Sequence, residues 1–195
     1  MNQTSFEAVK KHFYSIVQIP EREWRKFEVF LFSRSLKKGA YFIQEGDRCY
    51  DVGLITTGLI KRFLITEAGK EYVHYFAADG DWVGAYHTAL LGIPSRINNI
   101  ALEDTELILF DFKKYQKLYD QHPCWERIGR KTAEKLFIDR ENREFQFLTF
   151  SAQERYAEFL KQYGPIKHRL TQADIATYLG VTPEFLSRMI RKMKK

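Results

Sequence analysis

Cysteine is nearly absent from this 195-residue chain, with only Cys49 and Cys124 present. Two are too few for a disulfide framework, and they do not form a C-x-x-C pair. A disulfide-stapled secreted scaffold is therefore excluded, and a reducing cytoplasm is the expected compartment. Continuous apolar runs are missing too. Acids and bases interleave with the apolar residues of the N-terminus, so neither a signal peptide nor a membrane span is expected, and no membrane partner. The chain carries no G-x-x-x-x-G-K-[ST] loop, no G-x-S-x-G elbow and no H-E-x-x-H helix, and nothing in it points to an enzyme. The paired acids Glu103-Asp104 fall in an expected turn, where they need only water. His12, His74, His87, His122 and His168 are scattered, without an i,i+4 pair, so no metal site is expected. Cys49 reads either as a redox-sensing thiol or as a small packed residue.

What is present is concentrated at the C-terminal end. The formal charge is +6, yet residues 151–195 hold nine Lys/Arg against four acids while the first 150 hold 22 against 21. A basic excess of this kind is the electrostatic footprint of a phosphate-binding surface. Within it, Leu170-Thr171-Gln172-Ala173-Asp174-Ile175-Ala176-Thr177-Tyr178-Leu179-Gly180 starts with a capping-box-like Thr171/Asp174 pair and stops at a glycine able to enter the left-handed conformation. Thr182-Pro183 then restarts a helix, with Thr182 as N-cap and Pro183 at the first helical position. Two helices separated by about three residues predict a helix-turn-helix. At about 100° per residue, Glu184, Ser187, Arg188 and Arg191 share one face of the second helix, opposite Phe185, Leu186, Met189, Ile190 and Met193. Arginine donates two bonds to guanine and glutamate accepts from cytosine, so Thr182, Glu184, Ser187, Arg188 and Arg191 are the candidate DNA-binding residues. A plain αα-hairpin with a solvated outer face, or one that contacts protein, is the alternative.

The rest of the chain reads in blocks. Residues 4–34 carry apolar positions at helical spacing (Phe6, Val9, Phe13, Ile16, Val17, then Trp24, Phe27, Phe30, Leu31) and predict two or three short helices. From about residue 36, glycines at 39, 46, 53, 58, 69, 80, 84 and 92 punctuate short aromatic and β-branched runs, and turns every 7 to 12 residues imply a compact antiparallel β structure. Strands are expected at 40–44, 52–56, 58–64, 71–76, 81–84, 97–101 and 106–112, with a hairpin tip at Glu67-Ala68-Gly69-Lys70. Tyr72, Tyr75, Phe76, Trp82 and Tyr86 either line an apolar ligand pocket or fill this β structure. A short helix follows near 113–119 and a long one at 123–148, begun by Pro123 and free of internal proline. Its residues Ile128, Ala133, Leu136 and Arg140 are the candidate dimer contacts, because DNA half-sites are read by two-fold symmetric proteins; an intrachain core helix is the alternative. Ser151-Ala152-Gln153-Glu154 is a further cap, which puts a hinge near Phe150-Ser151. The expected domains are 1–120, 121–150 and 151–195.

This order of elements resembles the Crp/Fnr family of bacterial transcription regulators. The resemblance is carried by Lys38-Gly39-Ala40-Tyr41-Phe42-Ile43-Gln44-Glu45-Gly46-Asp47, Ile55-Thr56-Thr57-Gly58-Leu59-Ile60-Lys61, Gly69-Lys70-Glu71, Gly80-Asp81-Trp82-Val83-Gly84 and Ala101-Leu102-Glu103-Asp104-Thr105-Glu106-Leu107, together with Thr182-Pro183-Glu184-Phe185-Leu186-Ser187-Arg188. It implies an α+β fold: an N-terminal double-stranded β-helix (a β-roll like a cyclic-nucleotide-binding domain) with flanking helices, a long dimerisation helix, and a C-terminal winged-helix-type helix-turn-helix domain. It also implies a homodimer on a palindromic operator of double-stranded DNA, half-sites with TTGAT or TGTGA cores, RNA polymerase as a partner and a small-molecule effector in the β-roll. The effector pocket would be formed by Gly84, Ala85, Tyr86, Arg96 and Ile97. In cyclic-nucleotide-binding members a glutamate follows the cassette glycine and a serine follows the arginine. Here Ala85 and Ile97 stand in those places, and each lost polar partner is worth about 1 to 3 kcal/mol. Cyclic nucleotide is therefore not the expected cofactor, although Arg96 remains as an anion holder and a cAMP-gated regulator is the alternative. Oxygen-sensing members hold iron and sulfur on an N-terminal cysteine cluster. With two cysteines in the whole chain, no iron–sulfur cluster is expected.

Overall fold

The computed structural model describes residues 3–193. Two helices, α1 (Gln3–Ile16) and α2 (Glu21–Glu28), precede eight strands: β1 (Phe32–Leu36), β2 (Tyr41–Ile43), β3 (Asp51–Thr57), β4 (Leu59–Ile65), β5 (Glu71–Ala78), β6 (Trp82–Gly84), β7 (Asn98–Ala101) and β8 (Thr105–Asp111). A six-residue helix, α3 (Tyr86–Leu91), lies between β6 and β7. Then come α4 (Phe112–Gln116), the long α5 (Pro123–Thr149), α6 (Ala152–Tyr163), a 3-10 turn at Gly164–Arg169, α7 (Gln172–Leu179) and α8 (Pro183–Met193).

The strands form two four-stranded antiparallel sheets, ordered β1-β8-β3-β6 and β2-β7-β4-β5. Alternation sends one set of side chains from each sheet inward. Leu36, Ile55, Val83, Leu107 and Leu109 of the first sheet thus meet Phe42, Ile43, Ile60, Ala77 and Ala101 of the second in a closed roll core. The outer faces are covered as well. Leu54, Ile108 and Phe110 of the first sheet pack with Val9, Phe13, Trp24, Phe27, Trp125 and Ile128 from α1, α2 and α5. Leu59, Phe63, Val73, Phe76 and Ala78 of the second sheet pack with Tyr156, Phe159, Tyr163, Ile175 and Leu179 from α6 and α7. The C-terminal helices therefore dock directly on the roll.

The seven expected strands form, each within two residues of its expected ends, and the long helix runs from Pro123 as read. Two helices form where two or three were expected, and β1, at the end of that stretch, is a strand the helical spacing did not predict. It pairs antiparallel with β8, from Phe32 opposite Leu109 to Leu36 opposite Thr105, and this nonlocal ladder outweighs the local helical spacing. After residue 150 the described chain is helical throughout, so no strand of a wing is found there. Gly58, at φ 125°, makes the corner between β3 and β4; a β-carbon there would lie 2.4 Å from the Thr105 hydroxyl.

Candidate nucleic-acid interface and the roll interior

The capping box read at Thr171 forms. The Thr171 hydroxyl accepts from the Asp174 backbone N–H at 3.0 Å, and the Asp174 carboxylate accepts from the Thr171 N–H at 3.3 Å and from its hydroxyl at 2.5 Å. α7 ends at Gly180, in the left-handed region at φ 74°, with the Val181 N–H reaching back to the Ala176 carbonyl at 3.0 Å. Phe147 of α5 closes over this turn, since a β-carbon on Gly180 would stand 3.1 Å from its ring. The Thr182 hydroxyl accepts from the Phe185 N–H at 3.2 Å and starts α8. Ala176, with no exposure, sits in the core that also takes Leu179, Leu186 and Met189.

α8 divides its faces more sharply than its composition suggests. Leu186 and Met189 are buried and Ile190 is half-buried, whereas Phe185 and Met193 keep 42% and 48% of their surface. Phe185 lies about 100° from Leu186, at the margin of the stripe, and Met193 lies beyond the docked turns. On the other face Thr182, Glu184, Arg188 and Arg191 are exposed and Ser187 is half-buried. The Glu184 carboxyl is held below its usual range by its own backbone N–H and then by the Thr182 hydroxyl, with Arg188 adding a smaller attraction. It is a carboxylate ready to accept. Lys194 and Lys195 lie outside the described residues.

The dock between the C-terminal helices and the roll is ionic at its rim. Arg169 donates to the Asp79 carboxylate at 2.7 Å, to the Gly58 carbonyl at 2.8 Å and to both oxygens of Glu103. The Gly58 N–H also donates to Asp79, at 2.7 Å, so the β3–β4 corner and the helices share one carboxylate. Lys61 of β4 bridges Asp174 at 3.0 Å and Glu71 at 2.9 Å. Burial works against its charge, but the two carboxylates outweigh burial and hold its pKa above the usual value. Glu103-Asp104 consequently does more than meet water: Glu103 holds Arg169, and Asp104 takes the Lys37 ammonium at 2.7 Å and the Lys38 N–H at 2.9 Å. No local pattern marks this dock, because its partners are 66 to 113 residues apart.

α5 meets the same helices from the other side. The Arg143 guanidinium lies 3.6 Å from the Tyr178 ring centre and 4.3 Å from that of Phe147, and donates to the Tyr178 carbonyl. Arg155 of α6 donates to the Leu179 carbonyl at 3.1 Å and to the Phe150 carbonyl at 2.6 Å. Two cations thus sit on the negative end of α7. Of the four candidate dimer residues, Ile128 is 2% exposed inside the chain's own core, Ala133 is half-buried, and Leu136 and Arg140 are exposed. Ala133, Leu136 and Arg140 fall within about 60° of one another around α5, and Ile128 lies about 80° to 140° away from them. Phe137 and Leu148, 63% and 78% exposed, extend the outward stripe.

The five cassette residues separate. Ala85 and Ile97 pack into the apolar roll core, Tyr86 lies on Phe112 at 5.3 Å in the neighbouring core, and Arg96 is exposed. The Gly84 carbonyl accepts from Arg62 of β4 at 3.2 Å. The aromatic residues disperse likewise. Tyr75 faces the interior beside Arg62, Phe76 packs outward on Tyr163 and Tyr178, and Trp82 joins the helical core. Cys49 is half-buried, and burial pushes its thiol above the usual range, away from the reactive thiolate. His122 accepts from the Cys124 N–H at 3.2 Å as the cap of α5. Among the described residues no group of three His, Cys, Asp or Glu is placed to hold a metal ion, and no helix is long and apolar enough to cross a membrane.

Comparison with known proteins gives two family models that match in tandem. Residues 33–122 match the cyclic nucleotide-binding domain, and residues 146–195 match the Crp-like helix-turn-helix domain. The chain is 26% identical to the transcriptional activator protein Anr of Pseudomonas aeruginosa over 179 residues, covering 86% of this chain and 72% of that one. It is 29% identical to the fumarate and nitrate reduction regulatory protein of Vibrio cholerae over 177 residues, covering 83% and 68%. Among solved structures, FixK2 from Bradyrhizobium japonicum superposes with a TM-score of 0.72 at 21% identity, over 84% of each chain.

Proposed function

Because its two parts match the cyclic nucleotide-binding domain and the Crp-like helix-turn-helix domain in tandem, we propose that the chain is a Crp/Fnr-type transcription regulator that acts as a homodimer reading a palindromic operator, one half-site per α8. In this reading residues 1–120 are the sensor, 121–150 the dimerisation segment and 151–195 the DNA-binding domain. Glu184, Ser187 and Arg188 meet base edges, while Thr182 and Arg191 meet the backbone. Ala133, Leu136 and Arg140 face the second copy, joined by Phe137 and Leu148, whereas Ile128 serves the chain's own core. The observation that carries this is the division of α8: Leu186 and Met189 are buried against the docked helices while Glu184, Arg188 and Arg191 stay uncovered.

Cyclic nucleotide is not the effector in this reading, since Ala85 and Ile97 occupy apolar core where polar partners of a ribose and a phosphate would be needed. Nor is an iron–sulfur cluster assembled on the two cysteines of this chain. Where the regulator activates transcription, RNA polymerase is the further partner. The test is selection from a random double-stranded DNA library with the purified full chain. Enrichment of a palindrome whose half-sites stand about one helical turn apart supports the reading. Absence of any enriched sequence, together with a protein partner captured on residues 170–193, would overturn it.

A further inference from the structure

Inside the roll the apolar lining is interrupted where β4, β5 and β7 meet. Strand alternation turns Ile60 and Arg62 of β4, Tyr75 and Ala77 of β5, and Asn99 and Ala101 of β7 toward the interior. The register sets Arg62 directly opposite both Tyr75 and Asn99. Asn99 has no exposure, and neither its amide oxygen nor its amide nitrogen has a hydrogen-bond partner. The buried Nε of Arg62 is likewise without one, although the same guanidinium donates to the Gly84 carbonyl at 3.2 Å and to the Tyr75 hydroxyl at 3.4 Å. Three of the four buried side-chain polar atoms found without a partner among the described residues therefore belong to these two cross-strand neighbours. Buried polar groups are ordinarily satisfied, and an apolar residue at 99 would match Ile60, Ala77 and Ala101 around it.

The charge at this place is one-sided. Among the described residues no carboxylate forms an ion pair with Arg62. His74, the bulged residue beside Tyr75, feels Arg62 together with Arg140 and Arg143 of α5, and desolvation followed by these cations lowers its pKa to about 4. It is neutral near pH 7 and adds no further positive charge. A partly buried guanidinium whose buried Nε–H is free, an amide with both groups free and no ion-paired carboxylate make a complementary set for an oxyanion.

We propose that Arg62 and Asn99 form an oxyanion-binding site inside the β-roll that takes a small organic acid carrying a hydroxyl or amine next to its anionic group. The anionic oxygens accept from Arg62 Nε and Asn99 Nδ2, and the neighbouring O–H or N–H donates to Asn99 Oδ1. The acid is small because Tyr75, Ala85 and Ile97 already fill the surrounding interior. The site rests on reading the roll as the sensor, but it moves the anchoring groups from the β6–β7 cassette to the strands. Arg96, exposed on the cassette, takes no part.

The test is a titration of the full-length, 15N-labelled protein at constant ionic strength, following the Arg Nε–H and Asn Nδ2 signals by NMR. Glycolate, acetate and inorganic phosphate are the probes. Saturable shifts of Arg62 and Asn99 with glycolate, about tenfold tighter than with acetate, are expected, because acetate lacks the neighbouring donor. A phosphate response stronger than glycolate's at the same two residues supports the site and assigns a phosphate ester as the acid. Asn99→Leu should abolish the preference for glycolate over acetate while raising Tm without added anion, which shows that it folds. Arg62→Met should abolish binding of all three probes. If no probe gives saturable shifts at roughly millimolar concentration, or if Asn99→Leu binds all three as the parent does, the site does not exist. Operator selection by the parent protein is read separately, so a regulator that selects DNA but binds no oxyanion overturns this inference alone.

Discussion

In the proposed reading Arg188 and Lys192 differ in what they do for DNA, although both are cations on the exposed side of α8. Arg188 stands in the first turns with Glu184 and Ser187, where a guanidinium reaches base edges. Lys192 stands in the last turn, where it reaches phosphate. Arg188→Ala should cost about 1 to 3 kcal/mol of discrimination at one base pair and leave binding to random DNA nearly intact. Lys192→Gln should weaken binding to every sequence and lower the salt slope by about 0.9, both read by fluorescence anisotropy across a salt series. His74 carries a pH dependence. Its pKa is lowered from 6.5 to about 4 by desolvation first and by Arg62, Arg140 and Arg143 after it. The stability it contributes is therefore complete above pH 6.5 and is lost as pH falls toward about 4. His74→Gln should flatten the fall of Tm over that interval. At this scale the sequence was legible wherever a residue acts on its neighbours in the chain: Thr171 with Asp174, Ser151 with Glu154, Gly180 and Thr182 all take the expected roles. Arg62, Asn99 and Arg169 were not legible, because each acts on residues brought to it by the fold.

Among the elements, α5 shows how one helix serves two cores. Its first turns put Cys124, Trp125 and Ile128 into the core beneath α1 and α2, and its later turns leave Leu136, Phe137, Phe145 and Leu148 largely uncovered. Ile128→Ala should destabilise the protein by about 2 to 5 kcal/mol in thermal or urea unfolding without altering self-association once folded. Leu136→Glu should do the reverse, shifting sedimentation from dimer to monomer while changing the stability of the single chain by no more than about 0.5 kcal/mol. A Leu136→Glu protein that still sediments as the dimer would show that another surface joins the copies. The period of apolar residues in α5 was readable from sequence, but which of them faced inward was not. β1 was hidden for a related reason: Leu31 and the residues before it continue a helical spacing, and only the ladder to β8 makes Phe32–Leu36 a strand.

For the whole molecule, the decisive arrangement is the docking of α6 and α7 on the outer face of the β2-β7-β4-β5 sheet. Apolar contact fills its centre, and Arg169 and Lys61 hold its rim to Asp79, Glu103 and Asp174. Arg143 and Phe147 of α5 grip the far end of α7, beside the turn that leads into α8. Arg169→Met should loosen this dock by about 1 kcal/mol, a modest cost because Asp79 and Glu103 retain access to water. The expected readout is faster proteolysis at the Phe150-Ser151 junction with sequence preference on DNA unchanged. Cleavage at the parental rate would show that the apolar contact alone sets the dock.

The sequence by itself determined the order of elements, the caps and turns of the helix-turn-helix, the basic surplus beside it and the lack of polar groups at 85 and 97. All of these follow from residues within a few positions of one another, where backbone hydrogen bonding and side-chain period act locally. Only the tertiary structure decided that Ile128 turns inward and Leu136 outward, that Glu103 waits for Arg169, and that Arg62 and Asn99 face each other inside the roll. Those pairings depend on sheet register and on helices crossing at a distance, and long-range packing sets both.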